Sequence, residues 1–247
     1  MTYYVCFYRV QMNHKGFTLI ELSIVLIIIS LVVGGIVGGK SLIKSAELNS
    51  LISELKEYET AFNSFELQYD ALPGDFNEAS LYWPTYVVPV GGSVDGDGDG
   101  LIESRTTEDN LSSYHLHLSD LIQPVYESTG IYISSKYGNN TVIKINTSIV
   151  INNVGIAGAD ISSVNGKIIL NINYLDATTS VGYKGIISGS DLKSVDKKID
   201  DGLPRTGKLV GNGTIIARMP PPPGCIVSSA YNLSDEGNIC NLAYVIR

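Results

Sequence analysis

The run from Phe17 to Gly39 reads FTLIELSIVLIIISLVVGGIVGG and contains one charged residue, Glu21. As a helix it would be about 35 Å long, enough to cross a hydrocarbon layer of ~30 Å. Arg9 and Lys15 precede it and Lys40 and Lys44 follow it, so flanking charge orients it only weakly. A cleaved secretory signal would have an apolar core of about 7 to 15 residues and a small-residue cleavage site. This run passes instead straight into an amphipathic helix, which marks it as a retained anchor.

The rest of the composition narrows the class. The chain has 247 residues, 44% of them hydrophobic and 17% charged, a balance too apolar for intrinsic disorder and sufficient for one or two folded domains. Its 17 Lys and Arg stand against 25 Asp and Glu, for a net charge of -8. No basic run long enough to neutralise a phosphate backbone occurs, so no nucleic-acid partner is expected.

Glu21 is the informative residue, because an ionisable group within an apolar span costs a few kcal/mol and is usually retained for a partner or a pathway. The alternative is a carboxylate that snorkels to headgroup depth. Its setting, Lys15-Gly16-Phe17-Thr18-Leu19-Ile20-Glu21, resembles the class III signal of type IV pilins and type II secretion pseudopilins: a basic leader ending in Gly, then Phe, then Glu, then an apolar helix. The resemblance covers residues 15 to about 40. It implies cleavage between Gly16 and Phe17 by a membrane-embedded prepilin peptidase and methylation of the new amino terminus at Phe17. It further implies that Glu21 pairs with the Phe17 amino terminus of a neighbouring subunit, as an assembly and register device. In low dielectric such a pair is far stronger than in water, and an unpaired member is heavily penalised.

The leader, residues 1–16, departs from the pattern in being long and aromatic. A start at Met12 would leave the typical leader Met-Asn-His-Lys-Gly. Loss of Arg9 and Lys15 with the leader would take the net charge from -8 to -10.

Beyond the span, Leu48, Leu51, Leu55, Tyr58, Phe62, Phe65, Tyr69 and Leu72 recur at intervals of three and four and share one face of a continuing helix. Pro73-Gly74 is expected to stop that helix at Leu72. Gly34, Gly35, Gly38 and Gly39 form overlapping GxxxG spacings that permit close helix contact or a bend, or simply end the span. From Pro73 onward, short β-prone runs appear at 131–137, 141–151, 167–174, 181–187 and 213–219. Two helices are expected among them. One is capped by Asp109 or Asn110 and reaches about Ile122; the other is capped by Ser190 and runs from Asp191 to Asp201, closed by Gly202. The expected fold class is therefore α+β, a long N-terminal helix with a transmembrane half (17–39) and an amphipathic half (40–72), packed on a β-rich, pilin-like head (73–247). Ala71-Leu72-Pro73-Gly74-Asp75-Phe76-Asn77 and the stretch from Asp196 to Pro204 also resemble, more loosely, segments of larger pilin-like proteins.

The head carries two pieces of chemistry. Asp95-Gly-Asp97-Gly-Asp99-Gly100-Leu101-Ile102-Glu103 spaces carboxylates as in the first half of an EF-hand loop, but Thr106 stands where the closing bidentate acid belongs and Glu108 lies beyond it. The expectation is a Ca²⁺ site using Asp95, Asp97, Asp99 and Glu103, with a solvated acidic turn as the alternative. Heads of major pseudopilins bind calcium, so the resemblance favours the ion. Cys6 would leave with the leader, and Cys225 and Cys240 remain as an even pair. In an oxidising compartment they are expected to be bridged, closing a loop worth roughly 3 kcal/mol, rather than to stay as buried thiols. Pro220 to Pro223 form a short stiff segment leading into that loop.

No nucleophile elbow, Walker loop, Cys-x-x-Cys or HExxH is present, and His115 and His117 suit a zinc pair only if other ligands converge, so no enzyme is expected. The resemblance implies a structural filament subunit, first a pseudopilin of a type II secretion pseudopilus. A major or minor type IV pilin is the alternative within the class. A non-assembling, signal-anchored binding protein is the alternative outside it. The implied partners are copies of itself or related pilins, the prepilin peptidase, and a secretion or pilus assembly platform. The implied location is the bacterial inner membrane, single-pass, with the head in the periplasm or on an extracellular filament.

Overall fold

The structure is a computed structural model that describes residues 16, 18–85, 93–103, 108–123, 133–138, 141–147, 166–174, 185–213, 224–234, 237 and 239–247. Phe17, Thr106 and Pro220 to Pro223 lie outside these residues, as do 131–132, 148–151, 181–184 and 214–219 of the expected strands. The chain divides into two compact units, 1–46 and 47–247, and the division falls inside helix α1, Leu19–Tyr69.

In the first unit α1 is long and apolar enough to cross a membrane. Its large apolar side chains between Leu19 and Ile36 are exposed all round, from 50% at Val25 to 90% at Leu19. A helix apolar and exposed on every face suits lipid and not water. The two hydroxyls between Leu19 and Ile36 are satisfied within the helix: Ser23 Oγ donates to the Ile20 carbonyl at 2.9 Å and Ser30 Oγ to that of Leu26 at 2.7 Å. Such back-bonding is how serine is tolerated where water is absent.

In the second unit the same helix becomes one-sided. Leu48, Leu51, Leu55, Tyr58, Ala61, Phe62 and Phe65 are buried in the main core, as their three- and four-residue spacing requires. The helix ends at Tyr69 and not at Leu72. Asp70 takes a left-handed φ of 50° while its N–H still bonds the Glu66 carbonyl at 2.9 Å, so the left-handed residue terminates the helix before the proline can.

The remaining elements are α2 (Ala79–Tyr82), α3 (Glu108–Leu118), β1 (Ile133–Ser134), β2 (Thr141–Thr147), β3 (Ile168–Tyr174), α4 (Gly189–Ile199), β4 (Leu209–Gly213), β5 (Ile226–Val227), β6 (Ala230–Tyr231) and β7 (Cys240–Val245). A five-stranded sheet runs in the order β1-β2-β3-β7-β4, every pair antiparallel; β5 and β6 form a separate hairpin. The α+β class holds. Both expected helices shift. The first begins at Glu108 and ends at Leu118, short of Ile122. The second is capped by Ser188, whose side chain accepts the Asp191 N–H, rather than by Ser190.

Strand β7 was not among the expected strands, yet it lies between β3 and β4 with all six residues buried. Ile187, from the expected 181–187 run, contributes an isolated bridge to Cys240. The register places Leu170 opposite Tyr244 and Leu242 opposite Gly211, so Ile168, Leu170, Ile172, Leu209, Leu242 and Tyr244 join the main core. The opposite face holds a small cluster of Ile169, Val210, Ala243 and Val245.

Polar contacts from α1 hold the sheet in register beneath the helix. Tyr244 Oη and Lys208 Nζ both donate to Glu59, Arg247 pairs with Glu66, and the buried Glu54 accepts from Ser135 Oγ and the Lys136 N–H, both at 2.7 Å.

Candidate functional sites

At the N-terminal site, Thr18 and Glu21 form a reciprocal capping box. The Thr18 N–H and hydroxyl donate to Glu21 Oε2 at 2.8 and 2.9 Å, and the Glu21 N–H donates to Thr18 Oγ1 at 3.3 Å. The first helical bond, Leu22 N–H to the Thr18 carbonyl, makes Thr18 the N-cap. Glu21 thus has a partner within its own chain, visible in hindsight as the Thr-x-x-Glu spacing. Gly16, before the expected cleavage point, is exposed. Phe17 lies outside the described residues.

The second site is the Asp-Gly loop, and here the expected ligand set changes. Oxygens of Asp75, Asp97 and Asp99 lie within 4.8 Å of one another, as do those of Asp97, Glu103 and Glu108. Asp95 does not join them. Its Oδ1 accepts the Ser80 N–H at 2.6 Å and its Oδ2 the Ser93 hydroxyl at 3.0 Å. Burial opposes ionisation of Asp95, but these donors outweigh it and hold the carboxyl below its usual range.

Asp75 takes the inner place because the loop wraps around it. Its Oδ1 accepts the N–H groups of Gly98 and Asp99 at 2.6 and 3.0 Å, and its Oδ2 that of Gly100 at 2.8 Å. Burial raises its pKa, against the pull of those amides. Two glycines permit the approach. A Cβ on Gly74, whose φ is 106°, would lie 2.7 Å from the Glu108 carbonyl oxygen, and one on Gly96 would lie 2.4 Å from Gly74 backbone. Glu108 closes the other side, accepting from the Asp97 and Glu103 N–H groups at 3.2 Å each. Burial, and then the contact with the Glu103 carboxyl, pushes it up to about 7.

His115 joins the loop to the end of α1. Its Nδ1 accepts the Gly74 N–H at 2.9 Å, so Nε2 carries the proton and donates to the Val94 carbonyl at 2.7 Å. The ring lies parallel to Phe65 and close to Phe76 and Trp83. Desolvation lowers its pKa to about 4, against the Val94 bond and the Asp95 charge. A fully buried, doubly bonded histidine is a structural bracket and not one of a zinc pair with His117.

Cys225 and Cys240 are joined in a disulfide that ties the start of the β5–β6 hairpin to the start of the inner strand β7.

Residues 11–37 match the family model of the prokaryotic N-terminal methylation motif. The motif makes this N-terminal segment similar to that of type IV pilin-like proteins. The match spans the Gly16–Phe17 junction, the capping box and most of the apolar run, so the class III signal coincides with the helix that is long and apolar enough to cross a membrane. Such a signal carries prepilin peptidase processing and pilin-type assembly in general. The pilin-like family is structural rather than enzymatic. No curated protein and no solved structure matches the chain.

Proposed function

We propose that the chain is a pseudopilin, a structural filament subunit of a type II secretion pseudopilus. In this reading it is cut between Gly16 and Phe17, methylated at Phe17, and held in the inner membrane by 17–39 with its head in the periplasm until it is drawn into the filament by the assembly platform. The observation that carries it is Glu21, the one carboxylate in an apolar span, set within the methylation motif. Its capping bond to Thr18 gives the carboxylate an interim partner before assembly. On assembly the amino terminus of a neighbouring subunit replaces that partner. A type IV pilin, major or minor, is the second reading, because the same methylation motif serves both.

Calcium is the ligand proposed for the head, with Asp97, Asp99 and Glu103 kept from the sequence reading and Asp75 and Glu108 standing in for Asp95. The donors are all carboxylate oxygens, which suit a hard cation. The ion would neutralise acids that crowd one another between the end of α1 and the start of α3.

The deciding experiment is N-terminal mass spectrometry of the chain from cells with active prepilin peptidase, paired with an assay of secreted substrate and of sheared surface filament. A mature terminus at Phe17, with secretion lost on deletion of the gene, supports the pseudopilin. Surface filaments with unimpaired secretion support the pilin. An uncleaved chain sinks both.

A further inference from the structure

A second carboxylate cluster stands well apart in sequence from the Asp-Gly loop. The last turn of α4 and the residues after it carry Asp196, Asp200 and Asp201, with one oxygen of each within 4.8 Å of the others. Acids at a helix C-terminus face the negative end of its dipole, so this placement is unfavourable unless something positive offsets it. Lys197 and Lys198 occupy the same turn, but Lys198 Nζ is turned to Asn49 at 2.8 Å.

What singles this cluster out is Asp196. The residue is fully buried, and while its Oδ2 accepts the Tyr231 hydroxyl at 2.8 Å, its Oδ1 is buried with no hydrogen-bond partner. The Gly202 amide eases the charge on the carboxylate without meeting Oδ1. An unpaired buried carboxylate oxygen costs several kcal/mol in a protein interior, and such atoms are rarely left so. The other two acids are already anchored from outside. Asp200 Oδ2 accepts the Lys208 N–H, and Asp201 accepts the Leu203 N–H at 2.8 Å and the Thr206 hydroxyl at 2.6 Å. These bonds hold the stretch from 200 to 208 against the two acids, which lie beside the buried Asp196 carboxylate.

We propose that Asp196, Asp200 and Asp201 bind a hard divalent cation of calcium's kind, with Asp196 Oδ1 as the buried ligand. The donor set is oxygen only, which disfavours zinc. Calcium accepts irregular arrangements of carboxylates, carbonyls and waters, whereas magnesium demands a near-regular octahedron. The ion would join the C-terminal end of α4 to the connection entering β4 and, through Tyr231, to the β5–β6 hairpin. This goes beyond the filament-subunit reading and does not depend on it.

The test is calorimetric titration of Ca²⁺ into the full chain in detergent micelles, on an Asp97→Asn, Glu108→Gln background that removes the loop cluster. The background protein should still take up calcium. Asp200→Asn, at an exposed position, should weaken that uptake by about tenfold or more, a loss of about 1.4 kcal/mol. Asp196→Asn, which keeps an acceptor for Tyr231, should weaken it further while circular dichroism and the disulfide stay unchanged. If Asp196→Asn fails to fold, Asp200→Asn alone decides. Absence of uptake by the background protein at millimolar calcium, or uptake unaltered by Asp200→Asn, overturns the proposal. Neither result bears on cleavage or filament formation.

Discussion

At the scale of single residues, Glu21 and His115 carry opposite kinds of constraint. Glu21 holds the helix start through Thr18, a contact that any folded monomer can make, whereas the assembly role proposed for it needs a second chain. Glu21→Ala should therefore still insert and be cleaved but yield little filament, because the partner amino terminus would be left buried and unpaired. Processed subunit and sheared filament are to be measured separately, and normal filament yield would refute the contact. For His115, both ring nitrogens are committed, one as acceptor from Gly74 and one as donor to Val94. Protonation would destroy the acceptor. A histidine whose folded pKa sits at about 4 against an ordinary 6.5 contributes stability that is complete above pH 6.5 and drains away as pH falls towards 4. The loss is on the order of 3 kcal/mol. Glu108, raised to about 7, titrates in the same window with the opposite sign, and Asp95 is the charge that bears on the ring. Urea midpoints of the native chain and His115→Gln, compared between pH 7 and pH 4.5, isolate the histidine. The native chain should lose stability relative to the variant as the pH drops, and parallel curves would show that His115 does not titrate as argued.

At the scale of elements, α4 and β7 show local and long-range control side by side. Ser188 accepts the Asp191 N–H at 3.2 Å and donates to Asp191 Oδ2 at 2.8 Å, so it both caps the helix and orients the first-turn acid. Ser188→Ala should cost about 1 kcal/mol, read as a fall of about 2 to 4 °C in melting temperature for a unit of this size. No measurable change would place the cap elsewhere. The Cys225–Cys240 bridge pins the hairpin to the first residue of β7, and β7 is bonded on both sides, to β3 and to β4. Cys225→Ala with Cys240→Ala should destabilise the fold by about 3 kcal/mol, seen as a lower denaturant midpoint. A midpoint equal to that of the native chain would mean the bridge adds no stability.

At the scale of the whole molecule, the proposed loop ion would act by mass action on the folded state. If it binds the folded chain and not the unfolded one, calcium at a hundredfold excess over its dissociation constant stabilises by about 2.7 kcal/mol. The full chain in micelles should melt higher in millimolar calcium than in chelator, and Asp97→Asn with Glu108→Gln should remove part of the difference. Equal melting temperatures in the native chain would leave the loop as a solvated acidic turn pinned by Asp75.

Much of this protein was legible along the chain because the relevant signals are local. An apolar run of spanning length, a three- and four-residue stripe from Leu48 to Phe65, a Gly-Phe-x-x-x-Glu signal and an even pair of cysteines each depend on residues near in sequence or on counting. Convergence is different. Asp75 meets the loop through contacts 23 to 25 residues away, and nothing in the spacing of Asp95, Asp97 and Asp99 reveals that the first would turn out to Ser80 and Ser93 while Asp75 and Glu108 turn in. Strand β7 escaped because a strand buried on both faces has no alternation to betray it. Asp196 entered the sequence reading as part of an expected helix, and it is the packing of Tyr231 against it that puts one oxygen in a hydrogen bond and leaves the other without one. Chain-local order sets which elements form and where they start; which side chains then share a site is decided by the long-range contacts that bring distant turns together.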